Sequence, residues 1–286
     1  MDIARTLRTT DGVSLAYHLW RPGPPRRLLV LVHGLASNHT RWTEFVRTTR
    51  LRQSWDLLRV DLRGFGGSLT RRRVGLDVWS RDLGAILKAE QATRVVVLGH
   101  CLGANITLRF GADAPAVVEG LVLIEPMFRE ALTGALRWAA RLRTPVAGLA
   151  ALVRGLNKLG LHRRHLDGLD LEQLDQEARA VMARSGAFPE NRFGSPLEDL
   201  KSTPTAVYLT GVLAVTAPLP LSAIGTPTLA LLSRGGRYGD PEITARQLAE
   251  LPHCAIRMLE ARHWIPTESP QQMRQAIEEW CERRPA

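Results

Sequence analysis

Val95-Val96-Val97-Leu98-Gly99-His100-Cys101-Leu102-Gly103 is an apolar run that passes through Gly-His-Cys-Leu-Gly into a segment with helical patterning. A short, continuous apolar run reads as a strand buried on both faces, here over 94–98, with a helix following over 102–112. A Gly-x-nucleophile-x-Gly turn at such a junction forces its central residue into strained backbone, and the two glycines give the room that the bend needs. Cys101 then projects above the end of the strand, beside the positive end of the following helix. That location favours an anion such as a thiolate. His100 precedes the bend, points away from the nucleophile if the turn is strained, and is expected to be a packing residue.

The same rhythm extends outward on both sides. Residues 6–10 and 13–20 flank Asp11-Gly12 and predict a hairpin. Residues 27–32 and 55–62 predict strands, 39–50 and 77–91 predict helices, and 121–124 predicts the next strand. The pattern resumes with a strand at 228–232, a helix at 241–251, a strand at 255–259 and a helix at 270–283. Alternating strands and helices imply a parallel sheet covered on both faces, with its chemistry at the carboxyl ends of the strands. Between 127 and 223 the periodicity is helical, with helices expected at 128–142, 146–159 and 171–185. The organisation predicted is an α/β core formed by 1–126 and 224–286, with 127–223 inserted as a helical lid.

Of the 286 residues, 45% are hydrophobic and the formal charge is +10. Arginine carries nearly all the positive charge, since Lys88, Lys158 and Lys201 are the lysines. Such a surface attracts acidic partners. No nucleic-acid motif accompanies it, every apolar run is too interrupted to span a membrane, and Met1-Asp2-Ile3-Ala4-Arg5 lacks the order of a signal peptide. A cytoplasmic location is the expectation. Three cysteines without regular spacing argue against a disulfide framework or a zinc site. Cys254 and Cys281 read as small packing residues.

These pieces together resemble the α/β-hydrolase fold superfamily, in a cysteine-nucleophile variant, over 1–126 and 224–286. The matching motifs are His33-Gly34-Leu35 after the first buried strand, the loop from Asp61 to Ser68, the elbow at Cys101, and His263-Trp264 after the last strand. Their order is that of the family: oxyanion loop, nucleophile, acid, histidine. The resemblance implies Cys101 as nucleophile and His263 as general base. It places the oxyanion hole at the backbone N–H groups of Leu35 and Leu102, and gives the 61–68 loop a structural role. For the acid two residues remain open. Glu125 ends the strand at 121–124, where haloalkane-dehalogenase-like members carry theirs. Asp240 lies in the loop after 228–232, where most members carry theirs, and is also a natural N-cap before Pro241. Trp42, Trp264, Phe128 and Trp138 are candidates for an apolar pocket.

The chemistry implied is acyl transfer: attack of a thiolate on an ester or thioester, a cysteinyl acyl-enzyme, and release to water, an alcohol or an amine. The corresponding classes are hydrolase or thioesterase, and acyltransferase or cyclase. A lyase or isomerase using the same pocket for acid/base work, and a non-catalytic binding protein, are the alternatives. No cofactor or metal is implied. The partner expected is a small-molecule acyl substrate. Arg137 and Arg141 form a positive ridge on the first lid helix, which suggests contact with a substrate anion or with an acidic acyl-carrier protein. Leu132, Leu136, Trp138 and Leu142 supply an apolar surface to close over the site.

Overall fold

The computed structural model describes residues 2–283. Eight strands form one sheet in the order β1-β2-β4-β3-β5-β6-β7-β8. They are β1 Asp2–Arg8, β2 Ser14–Trp20, β3 Leu28–Val32, β4 Asp56–Val60, β5 Val95–His100, β6 Val118–Ile124, β7 Thr228–Ser233 and β8 Cys254–Leu259. β2 pairs antiparallel with β1 and with β4, and every pairing from β4 to β8 is parallel. β3, β4, β5 and β7 are buried at every position. This is why their sequences are largely continuous apolar runs rather than alternations. β1, at one edge of the sheet, alternates exposed and half-buried residues.

The α-helices are α1 Thr43–Thr48, α2 Leu76–Ala89, α3 Leu102–Asp113, α4 Gly134–Arg141, α5 Arg143–Lys158, α6 Leu171–Ser185, α7 Glu190–Phe193, α8 Pro196–Ser202, α9 Thr205–Val215, α10 Pro241–Leu248, α11 Ile265–Glu268 and α12 Pro270–Glu282. α4 to α9 all lie between β6 and β7. One large core cluster holds Trp79, Leu83 and Phe110 against Val30, Val95 and Val97. A second, holding Trp42, Phe45 and Ile277 against Leu29, Leu31 and Val96, lies on the opposite face of the same strands. The alternate side chains of β3 and β5 therefore feed two apolar layers, as a doubly wound sheet requires.

The expected helix over 128–142 begins only at Gly134. The residues before it are held as an extended loop instead. Leu132 and Gly239 form an antiparallel bridge, Asp240 N–H donates to Ala131 O at 2.8 Å, and Thr133 N–H donates to Tyr238 O at 3.0 Å. Ala131 and Leu132 are buried by that contact, so tertiary packing overrides the helical propensity of the segment. The segment expected as one helix at 39–50 is a 3-10 turn at His39–Trp42 followed by α1.

Candidate active site

The bend after β5 is the sharp one expected from its sequence. Cys101 has φ 54° and ψ −117°, a positive φ that L side chains rarely adopt, and Leu102 starts α3 directly after it. A Cβ at Gly99 would lie 2.2 Å from Gly103 O, and one at Gly103 would lie 2.4 Å from Val32 O. Backbone contact therefore demands both glycines. Gly34 passes close on the other side, where a Cβ would sit 3.4 Å from Cβ of Cys101.

His263 stands between Cys101 and Glu125. Its Nδ1 lies 3.2 Å from Glu125 Oε2, and the Cys101 thiol is its other polar neighbour. Burial alone would lower the imidazole pKa. The contacts to Cys101 and Glu125 outweigh it and push the value up to about 10. Glu125 is fixed in turn. It has φ 52°, and Ser233 N–H at the end of β7 donates to its Oε1 at 2.5 Å. One turn into α3, Asn105 clamps the loop after Glu125: its Nδ2 donates to Met127 O and its Oδ1 accepts from Met127 N–H, both at 2.9 Å.

Asp240, the other candidate acid, is occupied elsewhere. Its Oδ1 accepts from the N–H groups of Glu242 and Ile243 at 2.9 and 3.0 Å, which caps α10. The structure thus brings Cys101, His263 and Glu125 together and leaves Asp240 as a helix cap. The backbone N–H groups of Leu35 and Leu102 have no protein acceptor among the described residues. Leu102 is the first residue of α3, where an amide has no partner in the helical ladder.

His33 shapes the loop that carries Leu35. Leu62 N–H donates to its Nε2 at 3.0 Å and its Nδ1 donates to Gly34 O at 2.8 Å. Accepting at Nε2 requires a neutral ring, and full burial pushes its pKa down to about 4. Asp61 ties the same region to the 61–68 loop by accepting from His39 N–H at 2.7 Å and Gly67 N–H at 2.8 Å.

Several residues take places that their sequence context does not announce. His100 is no simple packing residue. It lines the cavity beside Cys101, its Nε2 donates to His263 O at 3.1 Å, and burial holds its pKa well below the usual histidine value. Glu268, at the end of α11, accepts at Oε1 from the N–H groups of Arg262, His263 and Trp264 at 3.1, 3.1 and 2.9 Å. The available signal is a carboxylate following His263 within one short helix. Among the aromatic candidates, Trp264 lines the cavity, whereas Trp42 and Phe128 are buried in the two cores and Trp138 faces solvent.

The cavity over Cys101 has a volume of about 470 Å³. α4 contributes Ala135, Leu136 and Ala139 to its wall, and Tyr208 of α9 and Asp199 of α8 add a polar side. Burial, partly offset by the hydrogen bond to Tyr208, pushes the Asp199 carboxyl up to about 7. Arg137 and Arg141 do not line this cavity. The Arg141 guanidinium lies 5.2 Å over the Trp138 ring on the outer face of α4. The expected positive ridge therefore exists but faces away from Cys101, and Leu132 and Leu136 part company with the outward-facing Trp138 and Leu142.

A family model described as the alpha/beta hydrolase family matches residues 29–276. The chain belongs to this family. An uncharacterized Mycobacterium tuberculosis protein, Rv2715, is 27% identical over 118 residues, which are 41% of this alpha/beta hydrolase and 33% of the relative. The chain thus spans about a third of that relative's length. A mouse relative, the sn-1-specific diacylglycerol lipase ABHD11, is 21% identical over 275 residues, covering 92% of this chain and 83% of the lipase. Among solved structures, a hydrolase from Pseudomonas aeruginosa PA01 superposes with a TM-score of 0.70 at 21% identity, covering 97% of this chain and 98% of that one. That likeness shows the fold.

Proposed function

We propose that this alpha/beta hydrolase cleaves an ester or thioester through a cysteinyl acyl-enzyme, with Cys101 as nucleophile, His263 as acid/base and Glu125 as the acid that orients it. The observation that carries the reading is His263 held between Cys101 and Glu125 at the floor of the cavity. The names of relatives such as the ABHD11 lipase support the coarser part, ester hydrolysis.

His263 takes the proton from the Cys101 thiol, and Sγ attacks the acyl carbon. The N–H groups of Leu35 and Leu102 hold the oxyanion. As the C–O or C–S bond of the substrate breaks, His263 returns its proton to the leaving alcohol or thiol. Water then gives a proton to His263 and its oxygen adds to the thioester carbon. Collapse of that adduct releases the acid and returns the proton to the Cys101–His263 pair. An alcohol or amine in place of water makes the same cycle an acyl transfer, and a thioester favours amines and thiols more than an oxygen ester does. Residues 127–223 act in this scheme as the lid that limits water access and shapes the acyl site.

The test is kinetic. With p-nitrophenyl acetate, Cys101→Ala and His263→Gln are each expected to lower kcat by at least about 10³. Retained turnover in Cys101→Ala would assign the pocket to acid/base chemistry without a covalent step, as in a lyase or isomerase. Absence of any turnover in the wild type over a panel of esters and thioesters would leave a binding protein on this fold.

A further inference from the structure

The outer face of α4 and α5 carries an apolar surface that the catalytic reading does not use. Among the described residues, every exposed large hydrophobic side chain except Leu69 and Leu197 falls between Trp138 and Leu161. On α5, Leu149, Leu152, Leu156 and then Leu159 recur in steps of three and four, so they share one side of the helix. Leu152 is 60% and Leu159 76% exposed. The more buried side lies about a quarter turn round the helix, at Val146, Ala150 and Val153, where α5 packs on α9. An amphipathic helix normally turns its apolar side to the core. α5 has apolar residues on both.

Charge says what covers the outer side. From Ala131 to Leu166 there is no acidic residue, while Arg137, Arg141, Arg143, Arg154, Lys158 and Arg163 all lie in that span. Across the buried side of α5 from those leucines, a groove of about 820 Å³ is lined by Arg71, Arg72 and Arg73 from the loop before α2, together with Arg154 and Lys158, so the flanking cations of the leucine side itself are Arg137 and Arg141 of α4. Asp77, paired with Arg73 at 3.2 Å, is the acid at the edge of that groove. Two copies of this face would bring like charges together around their leucines. An anionic bilayer instead meets leucines and a tryptophan with acyl chains, and the surrounding cations with phosphates. No helix among the described residues is long and apolar enough to cross a membrane.

We infer that the outer face of α4 and α5 docks on the surface of anionic phospholipid membranes, with Trp138 and the α5 leucines entering the headgroup boundary and the flanking arginines contacting phosphate. The helix lies in the plane of the interface. α4 and its C-cap serve both sides: Trp138 and Leu142 face the lipid, while Ala135, Leu136 and Ala139 wall the cavity. An acyl substrate leaving the bilayer would meet the cavity across one helix. The docking itself does not depend on the proposed chemistry, because binding is read without turnover.

The experiment is sedimentation of the full chain with vesicles of phosphatidylcholine alone and with vesicles containing about one third phosphatidylglycerol, at low and high salt. The inference predicts at least about tenfold stronger partitioning to the anionic vesicles, weakened by salt. Leu152→Glu/Leu156→Glu and, separately, Arg137→Ser/Arg141→Ser are predicted to lose most of it. Unchanged circular dichroism and an unchanged rate of Cys101 alkylation in these variants establish that the loss is not unfolding. Equal partitioning to both vesicle types, no partitioning, or wild-type partitioning in both variants overturns the inference. So does a wild-type dimer by light scattering that Leu152→Glu/Leu156→Glu makes monomeric, which gives the face to a second copy. Saturable binding of a purified acidic acyl-carrier protein without vesicle binding would also overturn it, and would give the face to that partner.

Discussion

At the residue scale the three cysteines are separated by environment. Cys101 opens onto the cavity beside His263, Cys281 is fully buried, and burial pushes the Cys254 thiol up to about 11. Iodoacetamide at neutral pH is therefore expected to alkylate Cys101 first, with peptide mapping as the readout. Equal labelling of Cys101 and Cys254 would contradict an activated nucleophile. The two acids separate as cleanly. Glu125→Gln removes the charge facing His263 and is expected to lower kcat by about 10² to 10⁴. Asp240→Ala is expected to leave kcat unchanged and to cost about 1 kcal/mol of stability through the lost cap of α10. The reverse ranking would make Asp240 the working acid.

His263 also sets a pH dependence. Its folded pKa of about 10 is above its ordinary value of 6.5. A raised pKa means that its contribution to stability is fully present below about 6.5 and is lost as pH rises toward 10. The difference in Tm between the wild type and His263→Gln is expected to shift against the wild type across that window. A difference independent of pH would show that the ring is not held protonated. Cys101 and His263 are legible in the sequence because Cys101 follows a fully buried strand and His263 follows the last strand, in the expected order. Glu125 is legible only as one of two acids, because Glu125 and Asp240 each end a strand-to-loop passage just ahead of a proline. The role of His100 is not legible, because its ring turns back to the carbonyl of His263, a contact across distant parts of the chain that no local pattern announces.

At the element scale, strands are the most legible parts. β3, β5 and β7 are buried on both faces, so their apolar runs stand out. α9, Thr205–Val215, shows why other elements are not. Ala206, Val207, Gly211, Ala214 and Val215 are buried and most of the rest is apolar too, so it lacks the one-sided stripe that marks a surface helix. The short helices act as holders. Glu268 ends α11 and gathers three consecutive backbone N–H groups around His263. Glu268→Ala leaves those donors without that acceptor, and the loop that presents the imidazole loses its anchor. We expect a drop in kcat of about tenfold or more with KM little changed, because the affected group acts on the reacting atoms and not on substrate binding. A KM effect alone would place Glu268 in the pocket wall instead.

At the scale of the whole molecule, the helices between β6 and β7 are tied to the sheet by a buried ion pair. Arg41, from the turn before α1, donates through Nη1 to both carboxylate oxygens of Asp175 on α6 at 2.5 and 2.6 Å, and to Thr267 of α11 at 2.9 Å. Breaking one partner of a buried pair leaves the other charge unpaired, at a cost of about 3 to 5 kcal/mol. Asp175→Asn is thus expected to lower Tm by several degrees and to loosen α6 over the cavity, with hydrogen exchange in 171–185 as the readout. Unchanged exchange there would show that α6 is held by its apolar contacts alone. Nothing in the sequence announces this link, since it joins an arginine and an aspartate from distant segments and each reads locally as a surface charge.

In the proposed cycle one covalent bond forms at one atom, Sγ of Cys101, during turnover. This step is tested most directly by acid-quenching the wild type while it turns over p-nitrophenyl acetate, and measuring the intact mass and then the peptide masses. An added acetyl group is expected on the peptide that contains Cys101, removed by hydroxylamine and missing from Cys101→Ala. Steady turnover with an unmodified Cys101, or an acetyl group on any other residue at comparable occupancy, would contradict it.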